Sequence, residues 1–119
     1  IQANTHLVYD DFAHHPTAIE AVSEAVKSKH ASKMIGIIEL ASNTMKSGRH
    51  GNALIDSTKN FDRIYFLDHE NTLNDANSFS SLEKIIDDLK KVICDYETII
   101  IMTNKDSQII SREIIKLCN

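Results

Sequence analysis

Apolar and polar positions along this chain fall into blocks whose period switches between two and about 3.6 residues, the signature of strands alternating with helices. A short extended segment runs from His6 to Tyr9, and an apolar pattern of helical period follows from Pro16 to about Lys29. In that helix Ala18, Val22 and Ala25 make one stripe with Ile19 and Val26 beside it. Pro16 suits the first helical position, where its missing N–H is not needed. Met34-Ile35-Gly36-Ile37-Ile38 is apolar on both faces, as a central parallel strand is. A polar loop from Glu39 to about Arg49 leads to a helix near Asn52–Thr58, and then to a third strand, Ile64–Leu67. After the loop Asp68–Asp75, Ser80 and Glu83 have the spacing of a capping box. The helix they would open carries Leu82, Ile85, Ile86, Leu89, Val92 and Ile93 at i, i+3, i+4 and i+7 intervals. Thr98–Met102 is a fourth strand, and Ser107–Leu117 a closing helix.

The order βαβαβαβα predicts an α/β domain: a Rossmann-like, mostly parallel sheet with helices on both faces. No repeat, low-complexity tract or linker interrupts residues 1–119, which read as a single domain. In a parallel sheet the loops that follow the strands share one edge. Here those loops carry the unusual polar residues, so that edge is the candidate functional face.

Composition narrows the function. The chain has 13 Lys and Arg against 17 Asp and Glu, a net charge of −4, and no basic block. Phosphate tracking needs clustered cations, so a nucleic-acid surface is disfavoured. No apolar run approaches the ~20 residues of a membrane span, and no signal peptide opens the sequence. Cys94 and Cys118 lack any CxxC spacing and read as buried reduced thiols, the pattern of a cytoplasmic protein. The first residue is Ile1 rather than an initiator Met, which reads as a piece cut from a longer chain.

The densest chemistry lies in Tyr9-Asp10-Asp11-Phe12-Ala13-His14-His15-Pro16-Thr17. Acids and imidazoles side by side at a strand-to-helix junction are costly unless they are solvated or bind something. Three readings are open. Asp10, Asp11, His14 and His15 could ligate a divalent metal. The His-His-Pro run is similar to the Asp-His-His of metal-dependent phosphoesterases, but Ala13 stands where that Asp would be. They could be solvated turn residues. Or they form a nucleotide site, with Asp11 accepting from ribose hydroxyls and the imidazoles stacking on a base or donating to phosphate. The glycines are Gly36, Gly48 and Gly51, so neither G-x-G-x-x-G nor G-x-x-x-x-G-K-[ST] is present. If the domain handles ATP, the phosphate-cradling loop comes from elsewhere. No Ser or Cys sits in a nucleophile motif. Glu39–His50 is long for a βα connection and rich in hydrogen-bonding side chains; it is either an ordinary surface loop or a second binding loop beside the Asp-His turn.

Two segments carry a resemblance. Asp10-Asp11-Phe12-Ala13-His14-His15-Pro16-Thr17-Ala18-Ile19 looks like the motif that opens the C-terminal domain of the Mur ligases, which join amino acids or peptides to UDP-N-acetylmuramic acid using ATP. With Ser42-Asn43-Thr44-Met45-Lys46, it is most similar to the branch known as murein peptide ligases, which attach L-alanyl-γ-D-glutamyl-meso-diaminopimelate during peptidoglycan recycling. The alanine-adding branch shares His-His-Pro-Thr but usually has Tyr-Gly before it and an Arg-rich second loop. The resemblance implies three domains: an N-terminal UDP-binding domain, a central P-loop ATPase domain, and this chain as the third. It implies ATP and Mg2+ as cofactors, Mg2+ held mainly by the central domain. UDP-N-acetylmuramic acid, the murein tripeptide and the chain's own N-terminal and central domains are the implied partners, and the fragment alone would be inactive. Matched to the motif, Asp11 would hold the ATP ribose with His14 and His15 near the nucleotide, and no catalytic residue falls in this chain. Ser42, Asn43, Lys46 and Arg49 would lie toward the peptide, joined by Asn104. Two features depart from the pattern. Leu40-Ala41 replaces the Pro-Arg found in some recycling ligases, and Thr103-Asn104-Lys105-Asp106-Ser107-Gln108 replaces a Gly-rich loop.

Overall fold

The computed structural model describes residues 2–3, 6–11, 16–29, 33–39, 55–68, 77–103 and 108–118. In chain order these form β1 (Gln2–Ala3), β2 (His6–Asp11), α1 (Pro16–Lys29), β3 (Met34–Glu39), β4 (Arg63–Leu67), β5 (Ser78–Phe79), α2 (Leu82–Val92), a 3-10 turn (Ile93–Asp95), β6 (Thr98–Met102) and α3 (Gln108–Cys118). The strands make one sheet in the order β1-β2-β6-β3-β4-β5. β1 runs antiparallel to β2, and every other pairing is parallel. The four expected strands are present, with β2 and β3 reaching on to Asp11 and Glu39. Two strands of two residues each, β1 and β5, are additional; they are too short to leave a periodic signal.

The strands alternate sides, as a two-residue period requires. Ile35 and Ile37 of β3, Tyr65 and Leu67 of β4, and Ile99 and Ile101 of β6 pack with Ile85 and Leu89 of α2 and Ile110 and Ile114 of α3. Met34 and Ile38, Phe66, and Ile100 and Met102 pack on the other face with Ile19 of α1. Helices therefore cover both faces, and the central strands are continuous apolar runs because neither face meets water. Gly36 belongs to the α1 face, in register with Ile64 and Ile100. A Cβ there would come within 2.6 Å of Ile64 Cδ1 and 2.9 Å of the Phe61 ring, so the absent side chain is the room those two fill.

Three expectations need correction. In α1 the buried centre is Ile19, flanked by half-buried Ala18, Val22 and Val26, while Ala25 is exposed. Ser23 takes the inward place beside them, buried and donating to the Glu20 carbonyl at 3.0 Å while accepting from Asn60 Nδ2 at 3.1 Å. At α2 the N-cap is Ser81 rather than Ser80: its hydroxyl accepts from the Lys84 amide at 3.4 Å. The shift follows from β5, which holds Phe79 against Leu67, so the chain needs Ser80 and Ser81 to reach the helix. Ser80 instead accepts from Lys84 Nζ at 3.1 Å. Cys94 is exposed, because the 3-10 turn buries Ile93 beside it; it carries a free thiol. The side chain of Cys118 and the start of the helix expected near Asn52 lie outside what is described, although residues 55–56 are helical.

Candidate functional site

The strand order makes one place on the sheet different from the rest. The chain leaving β2 is bound for α1, and the chain leaving β3 returns to β4 through residues 55–61 on the same face. There Asn60 bonds Ser23, Lys27 Nζ donates to the Asn60 carbonyl at 3.2 Å, and Lys59 pairs with Glu20 at 3.0 Å. β6 lies between β2 and β3, and the chain leaving it is bound for α3 on the opposite face. Neighbouring connections that diverge in this way mark a switch point, and open α/β sheets as a rule bind ligands in the crevice outside the carboxyl ends of the strands at such a point.

Three strand ends frame that crevice. Asp11 closes β2, in register with Met102 of β6. Glu39 closes β3, and Thr103 follows directly on β6. Ile38 and Met102 are partners in the ladder, so the residues after them stand side by side. Thr103 Oγ1 donates to Glu39 Oε1 at 2.6 Å, with Thr103 fully buried and Glu39 8 % exposed. Asp68, 2 % exposed, holds the corresponding place after β4, and its backbone N–H donates to the Phe79 carbonyl at 2.8 Å, seating β5. Buried polar side chains cost free energy unless they are bonded. Three of them at successive strand ends are a built feature of this edge.

Of the residues expected at the site, Asp11 is placed by its backbone at the end of β2. His14, His15, Ser42, Asn43, Lys46, Arg49 and Asn104 lie outside the described residues. In sequence they follow β2, β3 and β6, three strands that are adjacent in the sheet. Glu39, Asp68 and Thr103 were legible only as the first residues of loops. The signal that marks them is a polar residue ending an unbroken apolar strand, as in Ile35–Ile38 before Glu39 and Ile99–Met102 before Thr103. Among the described residues, no group of three or more His, Cys, Asp or Glu is gathered to hold a metal ion, and no helix is long and apolar enough to cross a membrane.

A second polar constellation lies toward the amino end of β4, away from the crevice. Arg63 Nη2 donates to Asp88 Oδ2 at 2.8 Å, Arg63 Nε to Tyr65 Oη at 2.7 Å, and Tyr65 Oη to Asp88 Oδ2 at 2.6 Å. The Tyr65 and Arg63 bonds hold the Asp88 carboxyl below its usual range, and the same pairings raise Arg63. Burial, reinforced by the bond to Asp88, pushes the Tyr65 phenol up to about 12. This triad ties α2 to β4 and shares no residue with the crevice.

The family model of the Mur ligase glutamate ligase domain matches residues 1–114. The chain is 34% identical over 100 residues to the UDP-N-acetylmuramate--L-alanine ligase of Hydrogenobaculum sp. (strain Y04AAS1), covering 80% of this chain and 21% of that protein. It is 43% identical over 68 residues to the UDP-N-acetylmuramate--L-alanyl-gamma-D-glutamyl-meso-2,6-diaminoheptandioate ligase of Escherichia coli (strain K12), covering 56% of this chain and 15% of that protein. The crystal structure of a murein peptide ligase from Psychrobacter arcticus superposes with a TM-score of 0.78 at 30% identity, over 98% of this chain and 28% of that one. The chain thus spans about a fifth or less of the curated relatives it matches. The α/β sheet, its switch point and the match over nearly the whole chain lead to one assignment: the chain belongs to the Mur ligase family, as its C-terminal, glutamate ligase domain.

Proposed function

We propose that this chain is the third domain of an ATP-dependent ligase that joins the tripeptide L-alanyl-γ-D-glutamyl-meso-diaminopimelate to UDP-N-acetylmuramic acid. The reading is supported by the strand order: the segment with the Asp-His motif follows β2 and the segment with Ser42–Lys46 follows β3, the two strands that flank β6. Asp11, His14 and His15 take the nucleotide side; Ser42, Asn43, Lys46, Arg49 and Asn104 take the peptide side. A tripeptide ending in diaminopimelate brings several carboxylates, and Lys46 and Arg49 are their natural counter-charges.

ATP suits the donor set at the strand ends. A carboxylate closing β2 beside the central strand can accept from ribose hydroxyls, and a switch point is where nucleotides lie. ATP supplies the phosphoryl group that activates the muramic acid carboxyl; this chain's part is to hold the nucleoside and orient the acceptor. The chain lacks a phosphate loop, and its two described carboxylates at the edge, Glu39 and Asp68, are buried strand-end groups. By the family resemblance, magnesium would be held mainly by the central domain. A second reading, addition of L-alanine, is favoured by the longer match to the Hydrogenobaculum enzyme. Asp10 before the motif and Ser42-Asn43-Thr44-Met45 in the second loop weigh for the tripeptide.

The test uses the full-length ligase with ATP and acceptor varied separately. Asp11→Ala removes a charged hydrogen bond of about 1.5–3 kcal/mol and raises KM for ATP about tenfold or more. Lys46→Ala and Arg49→Ala weaken tripeptide use by about ten- to a hundredfold while ATP affinity holds. Preference for L-alanine as acceptor replaces this reading with the second one. Sustained ligation or ATP hydrolysis by residues 1–119 alone overturns the placement of the P-loop in another domain.

A further inference from the structure

We propose that the groove between α2 and α3 is a docking surface for a basic, apolar segment of the same polypeptide, belonging to the domain that carries the phosphate loop; the choice of occupant rests on the ligase reading above. The groove has a volume of about 460 Å³ and lies on the face of the sheet opposite α1. Leu82 and Ile86 of α2 and Ile109 of α3 make its apolar part. Leu82 and Ile86 are half-buried, while Ile109 is 64 % exposed, more than any other large apolar side chain among the described residues. A β-branched residue in the first turn of a helix gains little from helix propensity, and at this exposure it gains little from the core. An apolar groove between two packed helices is the kind of surface that a partner's apolar side chains cover.

Position and charge select the partner. α2 follows β5, which pairs in parallel with β4, and α3 follows β6, so both helices start at the carboxyl edge of the sheet. Leu82 is the first residue of α2 and Ile109 the second of α3, which puts the apolar end of the groove at that edge. The ligase reading gives the same edge to the nucleotide, whose phosphates another domain must hold. A domain reaching the nucleotide there stands beside the open end of the groove. Glu83 and Asp87 line the α2 wall and Glu113 the α3 wall, against one lysine, Lys90, in the last turn of α2. Among the described residues neither Glu83 nor Asp87 has an ion-pair partner, and the Glu113–Lys116 pair, at 3.4 Å, is exposed and weak. In a symmetric contact a second copy of this chain would meet these acids with its own, and the carboxylates of the tripeptide would be repelled by them. Apolar side chains flanked by Lys or Arg match both parts of the surface.

The experiment uses the full-length ligase with ATP and UDP-N-acetylmuramic acid present. The photocrosslinking residue p-benzoylphenylalanine replaces Ile109 at the apolar end of the groove and, as a control, Ala25 on α1 across the sheet; both positions are exposed, so the fold tolerates the change. Mass spectrometry after irradiation should find an intramolecular link from position 109 to a peptide outside residues 1–119 in which apolar residues adjoin Lys or Arg. Its yield should exceed that of the control about fivefold or more. Glu83→Lys combined with Asp87→Lys lowers the yield about fivefold, and reversing the charge of the linked basic residues restores it. A link between two copies of the ligase, a yield that ignores the charge reversal, or a yield no higher than the control overturns the proposal. Tripeptide ligation by the wild type is measured in parallel. An active tripeptide ligase without the intramolecular link overturns the groove proposal alone. A wild type that ligates no tripeptide overturns the ligase reading, and the link still decides the groove.

Discussion

Replacing Tyr65 by phenylalanine separates the strength of the β4–α2 triad from everything at the crevice. The ring stays, with its 5.4 Å contact to Phe79; only the hydroxyl goes. That hydroxyl donates to Asp88 and accepts from Arg63, so its removal leaves Arg63 Nε without this acceptor and Asp88 with one fewer donor. At neutral pH Tyr65→Phe therefore costs about 1–2 kcal/mol of unfolding free energy. The pH dependence gives a sharper check. In the folded protein the phenol is pushed up from 10.0 to about 12, first by burial and then by the bond to Asp88, with Arg63 pulling the other way. Between those values the folded protein keeps a proton that the unfolded chain has released. The stabilisation from this group is thus whole below pH 10 and is lost as the pH rises through about 12. At ~1.4 kcal/mol per unit, the amount at stake is on the order of 2 kcal/mol. Urea unfolding of wild type and variant, at neutral pH and in steps above pH 10, should show a gap that closes by about pH 12. The difference in tyrosinate absorbance between the two proteins should titrate well above the ordinary phenol range. A gap that stays constant with pH, or a difference titration centred at about 10, would refute the reasoning.

Two further substitutions probe the frame that holds the site. Gly36→Ala forces a Cβ against Ile64 Cδ1 and the Phe61 ring; it should lower stability by about 1–3 kcal/mol in thermal unfolding, and a neutral result would mean both side chains swing aside freely. Ser81→Ala should cost about 0.5–1 kcal/mol and Ser80→Ala less, since Ser81 caps the α2 amide and Ser80 only meets a lysine; the reverse order in chemical unfolding would restore the earlier cap position.

The fold was legible where period and length agreed. α1 is found as expected at Pro16–Lys29 and β6 at Thr98–Met102, because a proline start and an unbroken apolar run each admit one reading. β5 was not legible: Ser78 and Phe79 become a strand only because Phe66 and Leu67 of β4 offer an open edge. The position of Cys94 was misread for a related reason, since a small apolar residue on a 3-10 turn goes in or out according to which neighbour fills the core, and Ile93 does. The polar motif pointed to the carboxyl edge of the sheet, where Asp11 closes β2. It could not point to the Thr103–Glu39 bond, because a contact 64 residues apart depends on β6 inserting between β2 and β3, an order no local pattern encodes.

That insertion also governs how the domain comes into being. A ribosome delivers β2, β3 and β4 well before β6, yet in the sheet β6 lies between β2 and β3. Until Thr98–Met102 emerges, β3 can pair with β4 on one side, while its other edge and the matching edge of β2 stay open. Long-range parallel pairing is slow, and open apolar edges invite wrong partners. The last strand made is the keystone of the sheet. A chain stopped short of residue 98 holds two disconnected strand groups and no crevice, so every premature end before that point yields a prime target for chaperones and proteases.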